Sequence, residues 1–223
     1  MRLDRCLLIP MDRCAWIPLL LLASLLAIAI LLRWQIMAIA LVGVMALLVF
    51  FFRDPERHTP ASAQTFVSPA DGVVTRVGVN DNPKTGPVGG PCVTIFLAPW
   101  NVHVNRVPHH GSVERVIYEP GGHAMAFRDT ADSNECNWVW FRSGDQQFAV
   151  RQVAGKVARR VVCRLRAGDW VRQGQRLGII KFGSRTDLCL PAGSQVLVRP
   201  GDKVRGGTSV IALAPDAGIG DRA

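Results

Sequence analysis

The sequence predicts a mainly β domain of β-sandwich or barrel-sandwich type, preceded by a hairpin of two apolar helices. Three observations predict it. Two apolar runs stand side by side near the N-terminus, short β-type runs broken by Gly, Pro and Asp fill the remainder, and one turn-and-strand pattern occurs twice.

Residues 15–32 and 36–52 are the apolar runs, separated only by Arg33-Trp34-Gln35. A membrane-spanning helix needs about 20 apolar residues, with about 17 as the lower limit, so the pair fits two short spans better than one long helix. A signal peptide has a single apolar core, whereas here a second run follows at once. Arg2, Arg5 and Arg13 precede the first run and Arg53 and Arg57 follow the second, against Arg33 alone between them. By the positive-inside rule both ends face the cytoplasm, which places the protein in the cell membrane with its soluble domain on the cytoplasmic side.

The chain carries a formal charge of +9 over 223 residues. Residues 1–52 hold four Arg and two acidic residues, so +7 belongs to the remainder. A basic domain beside a membrane predicts attraction to anionic lipids; nucleic acid gives the same composition but is not the expected partner. Cys6, Cys14, Cys92, Cys136, Cys163 and Cys189 show no CxxC and no metal-ligand spacing, and read as reduced thiols.

From Phe66 onward the β-type runs include 72–79, 92–97, 147–153 and 157–164, with no convincing amphipathic helix. The repeat is Gly-Asp-x-Val-Arg-x-Gly, at 168–174 and again 33 residues later at 201–207. Each copy sets a turn before a short strand and a Gly where the chain turns again. The pattern resembles the β-sandwich of lipoyl and biotinyl domains. The tail 216–223 is expected to be disordered.

Four short stretches could carry chemistry. Phe51-Phe-Arg-Asp-Pro-Glu-Arg57 follows the apolar hairpin; Val67-Ser-Pro-Ala-Asp-Gly72 is a tight turn presenting Asp71; Val102-His-Val-Asn-Arg-Val-Pro108 alternates so that His103 can face a cleft; and Phe182-Gly-Ser-Arg-Thr-Asp187 places a Gly-Ser bond after an apolar run. Ser184 could attack the preceding carbonyl when a turn strains the bond and a base removes its proton, moving the acyl group from nitrogen to oxygen. Elimination and hydrolysis would then leave a pyruvoyl group, whose carbonyl forms imines with amines and draws electrons as pyridoxal does. His109 and His110 lack metal partners at suitable spacing, so no metal is expected.

In this order and spacing the four stretches resemble the phosphatidylserine decarboxylase proenzymes, in their short bacterial and archaeal branch. The resemblance spans about residues 49–213 and implies a membrane-associated proenzyme that cuts itself between Gly183 and Ser184. The products would be a β chain, 1–183, and an α chain, 184–223, held as a heterodimer. Ser184 would become the pyruvoyl cofactor, Asp71 and His103 would form the relay that activates it, and the reaction would turn phosphatidylserine into phosphatidylethanolamine. Long-chain relatives have a second histidine where Arg106 stands here, so His103 must act as base, with His109 and His110 as alternatives. Ala131-Asp-Ser-Asn-Glu-Cys-Asn137 resembles the family's Asn-Glu-Arg-Asn segment, with Cys136 in place of Arg. Arg53 or Arg57 would lie near the lipid phosphate. The competing reading is a membrane-tethered lipoyl-like carrier or adaptor, modified on Lys156 or Lys181.

Overall fold

The computed structural model describes residues 11–60, 62, 64–122, 134–155, 161–180 and 184–215. They fall into two compact units, divided between Glu56 and Arg57.

The first unit is a helix pair. A single 3-10 turn, Arg13–Ala15, is capped by the Asp12 carboxylate, which accepts from the Cys14 N–H at 2.9 Å. It leads into α1, Trp16–Leu31, and after Leu32 to Trp34 the chain enters α2, Gln35–Phe51. Arg33 makes that corner with φ 56°, the left-handed region. The helices run antiparallel, since Met11 bridges Arg53 and the Asp12 N–H donates to Phe52 O at 2.8 Å. Ile17, Leu31 and Ile36 are more than 70% exposed, and neither helix has a polar face. The stretch Arg13–Leu31 is long and apolar enough to cross a membrane, whereas Gln35–Phe51 is shorter.

The second unit is β throughout its described residues. Its strands are β1 (Thr65–Val67), β2 (Gly72–Val79), β3 (Pro91–Leu97), β4 (Val104–Arg106), β5 (Gly111–Glu119), β6 (Cys136–Ser143) and β7 (Gln146–Val153). They continue with β8 (Val161–Cys163), β9 (Trp170–Val171), β10 (Arg176–Ile180), β11 (Ser184–Cys189), β12 (Gln195–Val196), β13 (Lys203–Val204) and β14 (Val210–Leu213). An eight-stranded antiparallel sheet has the order β13-β2-β3-β11-β7-β6-β5-β9. Two three-stranded sheets, β1-β14-β12 and β4-β10-β8, complete the unit. The main core holds Phe66, Ile95, Leu97, Phe141, Phe148, Leu177, Leu188 and Ile211, drawn from all three sheets.

The sequence repeat reappears as matched hydrogen bonds. Gly168 N–H donates to Val113 O at 2.8 Å and Val113 N–H to Asp169 O at 2.8 Å. Thirty-three residues on, Gly201 N–H donates to Val74 O at 2.8 Å and Val74 N–H to Asp202 O at 2.9 Å. Asp169 and Asp202 each accept from the backbone N–H three residues earlier, at 2.7 and 2.8 Å. Gly174 and Gly207 close the copies at φ 76° and 77°, where a side chain would be strained.

A second repeat is visible only in the fold. Ser68-Pro-Ala-Asp-Gly-Val-Val74 and Val107-Pro-His-His-Gly-Ser-Val113 occupy matching places: Arg106 N–H donates to Pro69 O and Val67 N–H to Pro108 O, both at 2.9 Å. Gly72 and Gly111 start the matching strands, and a Cβ on either would strike a backbone oxygen, Phe96 O at 2.1 Å or Arg142 O at 2.3 Å. Reciprocal bonds of this kind relate the halves by an approximate two-fold axis. With only Pro and Gly shared before the final Val, residue identity hides it.

The cysteines require a correction. Cys92 and Cys189 sit opposite each other on β3 and β11, with Cα atoms 4.1 Å apart, and are joined by a disulfide. Ninety-seven residues separate them in sequence, so no spacing pattern announces the pair. Direct cross-strand pairing brings the two side chains within bonding reach. Cys136 and Cys163 are free, and burial pushes both thiols up, which keeps them protonated and unreactive at neutral pH. In purified protein denatured without reductant, iodoacetamide should therefore modify Cys136 and Cys163 but reach Cys92 and Cys189 only after reduction. Peptide mapping checks this, and labelling of Cys92 and Cys189 before reduction would show the pair to be dithiol.

Candidate active site

β11 begins at Ser184 and is buried at every position. It lies between β3 and β7, with Ser184 opposite Leu97 and Arg185 opposite both Phe96 and Val153. Ser184 is wholly buried, and among the described residues its hydroxyl has no hydrogen-bond partner. A buried hydroxyl left unpaired costs about 1–3 kcal/mol, so its retention asks for a chemical reason. Gly183, on the other side of the predicted cut, lies outside the described residues, as do Lys156 and Lys181.

His103 comes to the same end of the fold by another route. It immediately precedes β4 and is completely buried. The Ile180 N–H, at the end of β10, bonds His103 O at 3.3 Å. Ile180 and Ser184 flank the predicted cut, so the histidine is anchored to one flank and the nucleophile begins the other. His103 Nδ1 lies 2.9 Å from Asn101 O. A carbonyl only accepts, so Nδ1 carries the proton, and in the neutral ring Nε2 is the basic nitrogen.

Asp71 stands in the turn before β2, shaped by the Ser68 hydroxyl donating to Ala70 O at 2.7 Å. Its carboxylate is bonded twice, to the Arg57 guanidinium at 2.9 Å and to the Gly206 N–H at 2.7 Å. Neither bond is to His103, whose ring is oriented by Asn101 instead. Arg57, expected near a lipid phosphate, is thus spent on Asp71. Arg53 lies over the Phe50 ring at 3.9 Å and donates to Phe50 O.

The other two candidate histidines lie in an aromatic cluster. His109 is buried between Phe66 and Phe148 and stacks on His110 at 4.2 Å. Partial burial, reinforced by the His109 charge, pulls His110 below the ordinary histidine range. Arg106, at the place of the second family histidine, is buried and donates to Gly174 O at 3.1 Å. No cluster of metal-ligating side chains occurs among the described residues.

Beneath Ser184 runs a buried polar chain that sequence reasoning missed. Asn105 donates to the Thr186 hydroxyl at 3.2 Å and accepts from Gln152 at 2.8 Å, and Asn137 donates to Gln152 at 3.4 Å. Alternation along Val104-Asn105 already places Asn105 on the side of His103, a signal available before the fold. On the opposite face of β11, Arg185 grips Asp187 with two bonds, at 2.8 and 2.9 Å. Asn134 and Glu135 close the same end of the sheet: Asn134 donates to Ala154 O at 2.8 Å and Glu135 accepts from the Val161 N–H at 3.3 Å. Residues 131–133 of that motif lie outside the described residues.

Comparison with known proteins identifies the family. The phosphatidylserine decarboxylase family model matches residues 44–212. A phosphatidylserine decarboxylase proenzyme of Pelodictyon phaeoclathratiforme is 41% identical over 182 residues, covering 80% of this chain and 85% of that one. Proenzymes of the same name from Syntrophus aciditrophicus and Nitratidesulfovibrio vulgaris are each 43% identical, covering 72% and 73% of this chain and 76% and 75% of theirs. With a buried serine beginning a central strand and a buried histidine tied to the strand before it, the chain belongs to the phosphatidylserine decarboxylase family.

Proposed function

We propose that this member of the family is made as a proenzyme, cuts itself between Gly183 and Ser184, and decarboxylates phosphatidylserine to phosphatidylethanolamine with a pyruvoyl group derived from Ser184. The observation that carries the reading is Ser184 itself, a fully buried serine whose hydroxyl has no partner among the described residues.

His103 Nε2 takes the proton from the Ser184 hydroxyl, whose oxygen attacks the Gly183 carbonyl carbon; the C–N bond breaks and an ester links the two segments. Loss of the Ser184 α-proton expels the carboxylate of the first chain, and hydrolysis with loss of ammonia leaves the pyruvoyl cap. Bound at the head of β11, that group supplies the carbonyl that takes up the substrate amine and the electrons released with carbon dioxide. The residues present fit it, because a buried strand start excludes bulk water from the carbonyl. Asp71 completes the proposed relay with His103. For this the His103 Nδ1–H must leave Asn101 O and reach the Asp71 carboxylate, which already accepts from Arg57 and the Gly206 N–H.

The partners follow from the same reading: phosphatidylserine, anionic lipid around it, and the heterodimer of 1–183 with 184–223. The helix pair is proposed as a membrane hairpin with both ends cytoplasmic, tethering the domain to the bilayer that holds its substrate. The duplicated turns are proposed as a lipoyl-like scaffold for the site.

Intact mass tests the centre of this proposal. Wild-type protein should give fragments 1–183 and 184–223 that separate only on denaturation, the smaller blocked at its N-terminus, while Ser184→Ala remains one inactive chain. An active, uncut wild-type chain would refute the pyruvoyl route.

The histidine assignment has its own test. His103→Ala should slow chain cleavage by about a hundredfold or more, the usual worth of a general base, and His109→Ala should not. Asp71→Asn should also slow cleavage; a normal rate in that variant would remove Asp71 from the relay.

For topology, Trp34→Cys in a background lacking other reactive thiols should be labelled only from outside the cell. Labelling confined to the cytoplasmic side would exclude the hairpin.

A further inference from the structure

We propose that Asn105 is a positioning residue for chain cleavage, holding in mutual register the three segments that carry Asp71, His103 and Ser184. The inference rests on the proposed cut at Gly183-Ser184 and adds a residue to it.

Asn105 is wholly buried, and each polar atom of its amide is used. The Nδ2 group donates to Thr186 Oγ1 at 3.2 Å and reaches Pro69 O at 3.4 Å, while Oδ1 accepts from Gln152 Nε2 at 2.8 Å. The partners fall at regular offsets. Thr186 is two residues after Ser184, Pro69 is two residues before Asp71, and Asn105 itself is two residues after His103. In extended chain a two-residue step keeps the same side of the strand, so the contact between Asn105 and Thr186 sets His103 and Ser184 at the same end of their strands. The backbone supports this, since Arg106 N–H bonds Pro69 O at 2.9 Å and Ile180 N–H bonds His103 O at 3.3 Å.

β4 and β11 belong to different sheets, so no ladder of backbone bonds joins them. The side chain of Asn105 makes a polar link from β4 to β11, through Thr186 Oγ1. Gln152 fixes which way the amide faces, and Asn137 in turn holds Gln152 from β6. Attack by a hydroxyl on a neighbouring carbonyl depends steeply on geometry, and a displacement near 1 Å costs about a hundredfold in rate. A side chain that sets the register of base against nucleophile therefore controls rate while leaving the chemistry to others.

The test is the first-order rate of chain cleavage in full-length protein made by cell-free synthesis in lipid nanodiscs. Asn105→Leu, with the same branching and without polar atoms, should lower the rate constant at least tenfold while cleavage still runs to completion. Gln152→Leu removes the bond that orients the Asn105 amide, from a strand that pairs with β11, and should slow cleavage in the same direction by a smaller factor. The double variant should be no slower than Asn105→Leu, because both changes act through one amide. Asn137→Leu, at the far end of the chain of bonds, should slow cleavage least of the three. A merely structural role would give a reduced amplitude with an unchanged rate constant, and that result overturns the proposal. So does a wild-type rate in Asn105→Leu, or in Gln152→Leu should the first variant not fold. Wild-type protein that stays uncut would overturn the cleavage reading as well, which separates the two failures.

Discussion

Everything in the β unit depends on β11 being hydrogen-bonded on both edges. Six of its residues pair with β3 and five with β7, so the strand that starts at Ser184 is interior to the largest sheet. Burial on both faces follows, with Leu188 in the main core and Cys189 in the smaller cluster of Trp138 and Trp140. A strand in that position cannot shift by one residue without turning Arg185 and Asp187 into the core. The start of β11, and with it the Ser184 hydroxyl, is thereby held in one place.

The same constraint decides what a cut at 183–184 would leave. Past that point the chain supplies β11 to β3 and β7, β13 to β2, and β14 to β1. Leu188, Leu190, Ile211 and Ala212 are fully buried in these contacts. Burying each of the three larger aliphatic side chains is worth about 1.5–3 kcal/mol, so together they exceed the roughly 4 kcal/mol that separates micromolar from nanomolar association. These contacts would persist across such a cut.

The polar interior is organised by the same logic. Buried amides are tolerated only when their donors and acceptors are used, because each unpaired group costs about 1–3 kcal/mol. Asn105, Gln152, Asn137 and Thr186 meet that condition through one another, and Asp187 meets it through Arg185. Asp71 meets it through Arg57 and the Gly206 N–H, leaving its tie to His103 to a rearrangement. The Ser184 hydroxyl has no partner among the described residues, and it is the atom proposed to attack the preceding carbonyl.

Much was legible before the fold. Apolar length and the distribution of Arg are local properties, so the helix pair could be read directly, and the Gly-Asp-x-Val-Arg-x-Gly copies announced matching turns because left-handed glycines and Asp-capped turns are dictated by residue type. Ser184, His103 and Asp71 stood out because short motifs carry their chemistry in neighbouring residues. What joins those motifs did not, because it is set by pairing between distant segments. The Cys92–Cys189 bond spans 97 residues, the match of 68–74 with 107–113 survives in backbone bonds rather than identity, and the Asn105–Thr186 contact joins two sheets. Sequence by itself determined which groups the protein owns and how each local turn is made. Tertiary structure alone decided that Asp71 faces Arg57, that Asn101 orients His103, and that Ser184 starts a strand buried on both sides, because each outcome depends on which backbone edges and side chains the fold brings opposite one another.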